Sequence, residues 1–253
     1  MRRTRRLLQL VAAILIALGV IASASGCDAS AVQRWRTERG LARLSDADAT
    51  RLAAGLTAIE AELDRRRAFS AVVTTPAVAD LGESWRPGCP VGPADLRSVS
   101  VSYWGFDNAG HTGVVVVHRS NTSSLVAALR ELWNQRFPIE AMVPISSYGG
   151  DDRASMLANN TSGFNCRTVA GTSKLSEHAY GRAIDINPFR NPWVSRSKID
   201  PPEAAAYADR SRRDPGIFHD GDDSVAALEG AGWKWGGHWA TSKDYQHFSV
   251  SGR

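Results

Sequence analysis

The hydrophobic period changes twice between Ser98 and Trp133, so strands and a helix must share one domain. Val99, Val101 and Tyr103 alternate with Ser98, Ser100 and Ser102, the period of a half-buried strand. Val114 to Val117 is a short continuous apolar run, which predicts a buried strand. Leu125, Ala128, Leu129, Leu132 and Trp133 then recur on one helical face, with Thr122 or Ser123 as the cap and Pro138 as the stop. Met142 to Ile145 reads as a further strand. Asp222 or Asp223 opens a short helix carrying Val225 and Leu228, ended by Gly230 and Gly232. No regular strand–helix–strand alternation appears, so the class is α+β. With 43% hydrophobic residues and three cysteines in 253, the fold must rest on a packed core rather than a disulfide scaffold.

The N-terminus assigns the compartment. Arg2, Arg3, Arg5 and Arg6 precede an apolar run, Leu7 to Ala24, which ends in Ala24-Ser25-Gly26-Cys27. A basic start, apolar middle and small residues make a secretory signal. Three outcomes stay open. The segment 1–27 is a lipoprotein signal with Cys27 lipidated, a signal cleaved after Ala24, or an uncleaved anchor near the ~18-residue minimum for a span. Each places the remainder outside the cytoplasm, either held at the outer face of the cytoplasmic membrane or secreted. Removing residues 1–26 takes away four arginines and no acid, leaving 26 basic and 26 acidic residues. The formal charge of +4 therefore belongs to the export segment, and no basic surplus remains for nucleic acid.

Residues 28–68 read as a helical spacer. Leu52, Leu56, Ile59 and Leu63 line one helical face behind Ser45 and Asp46. A domain is expected over 69–253.

The chemistry is concentrated in Leu175-Ser176-Glu177-His178-Ala179-Tyr180-Gly181-Arg182-Ala183-Ile184-Asp185. If Ala183 to Ile186 is a strand, Asp185 faces away from Ile184 and Ile186. A turn at Gly181 then returns His178 to its side. An imidazole and a carboxylate so placed are two zinc ligands, and His247 of Asp244-Tyr245-Gln246-His247-Phe248 supplies a third. Three protein ligands leave one position for water, the pattern of a catalytic site. Asp244, three residues before His247, is placed to take that water's proton.

Ser-x-His, six residues, Asp, and later Asp-x-x-His-Phe resemble the signature of the VanY-like D-alanyl-D-alanine carboxypeptidase family of zinc peptidases. This family sits in the wider group with lysostaphin-type peptidases, the hedgehog domain and L-alanyl-D-glutamate endopeptidases. The resemblance extends from about Val114 to Phe248. It implies a small antiparallel sheet flanked by helices, with zinc in a cleft held by His178, Asp185 and His247. It makes Asp244 the general base and acid. Arg167, in Thr161-Ser162-Gly163-Phe164-Asn165-Cys166-Arg167, would stabilise the oxyanion or grip a substrate carboxylate. Extra residues precede this arginine relative to the family pattern. Ser176 would support the site, and Arg153 is a second candidate for a substrate carboxylate. The substrate implied is the peptide stem of peptidoglycan, cut by carboxypeptidase or endopeptidase action, in a monomer. A different class stands beside it: an inactive zinc-containing wall-binding or scaffolding protein.

His111, His118, His219 and His238 match no family position and read as structural or surface residues. With Cys27 lipidated, Cys89 and Cys166 remain, and outside the cytoplasm they are expected to form a disulfide pinning the Arg167 segment.

Overall fold

The alternating segment and the apolar run become neighbours in an antiparallel sheet of order β1 (Ala71–Thr74), β2 (Leu96–Trp104) and β3 (Gly110–His118). The structure is a computed structural model and describes residues 68–253, together with Gly55. Segment 1–27 with Cys27 lies outside the described residues, as does the spacer 28–68 apart from Gly55 and Ala68. Among the described residues no helix is long and apolar enough to cross a membrane.

The β2–β3 register sets Val99 opposite Val115. Val99, Val101, Val115 and Val117 are fully buried in one core. Val116 points the other way, into a second cluster with Leu81 of α1 (Val78–Leu81), Leu96, Phe164 and Cys166. The run at 114–117 is continuous because β3 is covered on both faces. Helix α2 (Thr122–Asn134) buries Leu125, Ala128, Leu129, Leu132 and Trp133, the face its period prescribes. Each such leucine contributes about 2 kcal/mol by leaving water.

Helix ends differ from expectation for local reasons. Asn121 holds the cap position of α2, preceded by a 3₁₀ turn at Arg119–Asn121. Its side-chain amide donates to the Gly181 carbonyl at 3.2 Å instead of capping the helix. The strand expected over Met142 to Ile145 is only β4 (Ala141–Met142). Pro144 has no N–H to give, and the Val143 N–H is taken by the Asn160 side chain. Ile145–Tyr148 is a 3₁₀ turn, leading to α3 (Asp152–Leu157). Helix α4 (Asp223–Gly230) has Asp222 before it, but that carboxylate accepts from the N–H and ring of His219.

The second half of the chain builds short strands around a cleft. Strand β5 (Asn160–Thr161) pairs in parallel with β4. The remaining strands are β6 (Ala183–Asp185), β7 (Trp193–Val194), β8 (Ile199–Asp200), β9 (Lys234–Trp235), β10 (Lys243–Asp244) and β11 (His247–Ser249). They form two antiparallel sheets, β6-β11-β9 and β10-β7-β8. The architecture is α+β, with the expected single sheet divided into several small ones.

Candidate metal centre

The β6–β11 register places His247 directly opposite Asp185. Directly opposed residues of an antiparallel pair point to the same face, so imidazole and carboxylate meet. Ile184 and Phe248, the next pair, face the core instead. His178 arrives from a 3₁₀ turn, Glu177–Tyr180, whose first N–H groups are oriented by Ser176. The Ser176 hydroxyl accepts from the His178 N–H at 3.3 Å. The turn closes at Gly181, with φ of 63°. A Cβ there would lie 2.5 Å from the His118 nitrogen, which donates to the Gly181 carbonyl. Only glycine combines that conformation with that approach.

Three donor atoms converge. His247 Nδ1 lies 3.0 Å from Asp185 Oδ1, His178 Nε2 lies 3.1 Å from Asp185 Oδ2, and the two ring nitrogens are 3.2 Å apart. Ligands about 2.0–2.1 Å from a tetrahedral centre stand roughly 3.3 Å from one another, so the spacing fits a shared ion. The far ring nitrogens are committed elsewhere. His178 Nδ1–H donates to the Gly163 carbonyl at 2.6 Å, and His247 Nε2–H donates to the Arg253 carbonyl at 2.9 Å. Both rings thus turn lone pairs towards Asp185, which itself only accepts. All three residues are buried, and such a group of acceptors needs a cation or protons between them. Among the described residues this is the one cluster of three able to hold a metal ion.

The same electrostatics appear in the titration behaviour. Burial would lower the His247 ring, but its hydrogen bond and proximity to Asp185, with Asp244 nearby, push it up to about 9. Burial would raise Asp185, yet His178 and His247 hold it well below the usual carboxylate range.

A cavity of about 410 Å³ opens beside the donors, lined also by Asp152, Arg167, Ser176, Trp239, Asp244 and Gln246. Asp244 lies on β10, and Gly236 keeps that strand close. A Cβ on Gly236 would fall 2.6 Å from the Asp244 carbonyl oxygen. One Asp244 carboxylate oxygen is sealed and lacks a partner. Burial is the main cause that pushes Asp244 up to about 7, with Asp185 adding to it and the site's cations opposing.

Arg167 reaches the cavity and bonds Asp152 Oδ2 at 2.8 Å. Its backbone is held by Ser176, whose N–H donates to the Arg167 carbonyl. A disulfide joins Cys89 to Cys166, one residue away. Arg86 donates to the Cys166 carbonyl at 2.9 Å and ties the two loops again.

Arg153 requires a correction. It does not line the cavity: its guanidinium bonds Glu203 at 2.6 Å and approaches Asp200 at 4.0 Å, half exposed. Its neighbour Asp152 faces the site instead, because Asp151 caps α3 and turns the first helical residue inward. Sequence reasoning missed Asp152, Gln246 and Trp193 as cavity residues, and also the Gly163 and Arg253 carbonyls. His111, His118, His219 and His238 pair elsewhere, with Asp107, Ser120, Asp222 and Glu229 respectively. Trp233 and Trp235 are core, while Trp239 forms cavity wall.

Comparison with known proteins addresses the segment that holds these donors. Residues 170–250 match the D-alanyl-D-alanine carboxypeptidase family model. This segment is therefore similar to that of carboxypeptidase-like peptidases, a class generally dependent on metal. The matched segment contains Ser176, His178, Asp185, Asp244 and His247. Arg167 and Asp152 lie before it, so their place at the cavity rests on the structure alone. No curated protein and no solved structure matches the chain.

Proposed function

We propose that the protein is an exported zinc peptidase that cleaves the peptide stems of peptidoglycan. The observation that carries this reading is the convergence of His178 Nε2, His247 Nδ1 and the Asp185 carboxylate beside a cavity containing Asp244. Two imidazoles and one carboxylate at tetrahedral spacing suit zinc. When bound, zinc polarises the scissile carbonyl and lowers the pKa of water to roughly 7.

The chain's own residues supply the rest. His178, Asp185 and His247 hold the metal. The Gly163 and Arg253 carbonyls keep both rings in the ligating tautomer. Asp244, raised towards neutrality, accepts the proton of the attacking water and returns it to the leaving amine. Arg167 faces the charge that develops on the carbonyl oxygen, or a substrate carboxylate, and Asp152 fixes its direction. Ser176 orients the His178 turn. Asp244 and Arg167 beside one cavity favour turnover over an inactive scaffold.

The peptidase match and the N-terminal signal pattern support this choice of substrate and compartment. The stem peptides are the partner, the protein acts as a monomer, and nucleic acid is not one of its ligands. We favour lipid attachment at Cys27, which would hold the domain at the outer face of the cytoplasmic membrane, over release after Ala24 or an uncleaved anchor. A fatty-acid analogue fed to cells should label the wild type and not Cys27→Ala; equal labelling contradicts the anchor.

The activity test uses zinc-loaded protein and a panel of defined muropeptides, with products weighed by mass spectrometry. Loss of a terminal D-Ala identifies a carboxypeptidase, and internal cuts an endopeptidase. No cleavage across the panel contradicts the proposal.

A further inference from the structure

Gln246 stands between Asp244 and His247 and lines the cavity, yet neither the metal set nor the proton path uses it. It is 3% exposed, and its Oε1 is sealed with no hydrogen-bond partner. Exchanging the amide oxygen and nitrogen leaves an N–H₂ group orphaned at the same place, so one polar atom is unsatisfied in either orientation. The residue has little freedom to swing away. Its carbonyl accepts from the Ile186 N–H at 3.0 Å, and the next residue is locked opposite Asp185. Arg167 bonds Asp152 through Nη2, although its Nε is itself without a partner, and the far ring nitrogens of both histidines are committed to backbone carbonyls. Buried amides are normally paired, and those that are not call for an explanation.

We propose that Gln246 is a substrate-binding residue whose side-chain amide accepts a hydrogen bond from a backbone N–H of the peptide held in the cavity. Alanine-rich stem ends bring no side-chain donor near the cut, so the backbone N–H is the donor they present. The proposal rests on the peptidase reading above. Because the contact exists before and during the reaction, its loss raises KM more than it lowers kcat.

The test measures binding by calorimetry in zinc-loaded Asp244→Ala protein, using synthetic peptides that end in D-Ala-D-Ala or contain an L-Ala-γ-D-Glu bond. Adding Gln246→Met, which keeps the bulk and removes the acceptor, should weaken binding about tenfold. Adding Gln246→Glu, which keeps an acceptor whether or not it is protonated, should stay within about threefold. Zinc content and melting temperature are measured for each variant. Equal binding by the Gln246→Met protein and its parent, with zinc retained, overturns the role of Gln246 alone. Absence of binding by the parent to every peptide overturns the peptidase reading, and this inference with it.

Discussion

His178 and His247 turn different ring nitrogens to one point: Nε2 of the first lies 3.2 Å from Nδ1 of the second. Each choice is made by a backbone carbonyl behind the ring, Gly163 for His178 and Arg253 for His247. The metal geometry is therefore written partly in main-chain atoms, which no side-chain motif specifies.

The pair predicts a proton linkage. In the metal-free protein His247 is raised from 6.5 to about 9. Its stabilising contribution is complete below pH 6.5 and is lost as pH rises through about 9. Asp185 is lowered from 3.8, so its contribution is present above that value and lost as pH falls further. At pH 7 the metal must displace the His247 proton. Calorimetric zinc titrations in buffers of different ionisation enthalpy should show about one proton released at pH 7, falling away above about pH 9. No release at pH 7 contradicts the assignment.

Asp152 predicts a second effect. Its bond to Arg167 directs the guanidinium into the cavity. Asp152→Ala should reduce kcat/KM between about 10- and 100-fold, with zinc content unchanged. Arg153→Ala, which breaks a half-exposed pair with Glu203 and a longer contact with Asp200, should leave the rate near wild type. Equal losses in the two variants contradict the placement.

The disulfide predicts a third. Cys89 and Cys166 are 77 residues apart, and cross-linking them restricts the unfolded chain. Replacing both by serine should cost about 2–4 kcal/mol in denaturant unfolding. Turnover should also fall, because Arg167 follows the cross-linked residue. Unchanged stability contradicts the account.

Legibility in the sequence followed periodicity and side-chain identity. The buried face of α2 could be read because five apolar residues recur at helical spacing. The meeting of Asp185 and His178 could be anticipated from strand alternation and the glycine turn. The division into small sheets was not legible, since two-residue strands such as β7 and β10 carry no period. Arg153 is a candidate on its charge, yet Asp152 is the one that lines the cavity, and the direction of each depends on how Asp151 starts α3. Gln246 carries no signal because glutamines are mostly exposed and no motif position marks this one.

In the proposed function one metal, held by His178, Asp185 and His247, acts with Asp244 to cut peptides. The most direct measurement is zinc stoichiometry and muropeptide turnover of Asp244→Ala, side by side with wild type. The account predicts one retained zinc and a rate lowered by about 100-fold or more. Turnover at the wild-type rate in a zinc-loaded Asp244→Ala protein would contradict it.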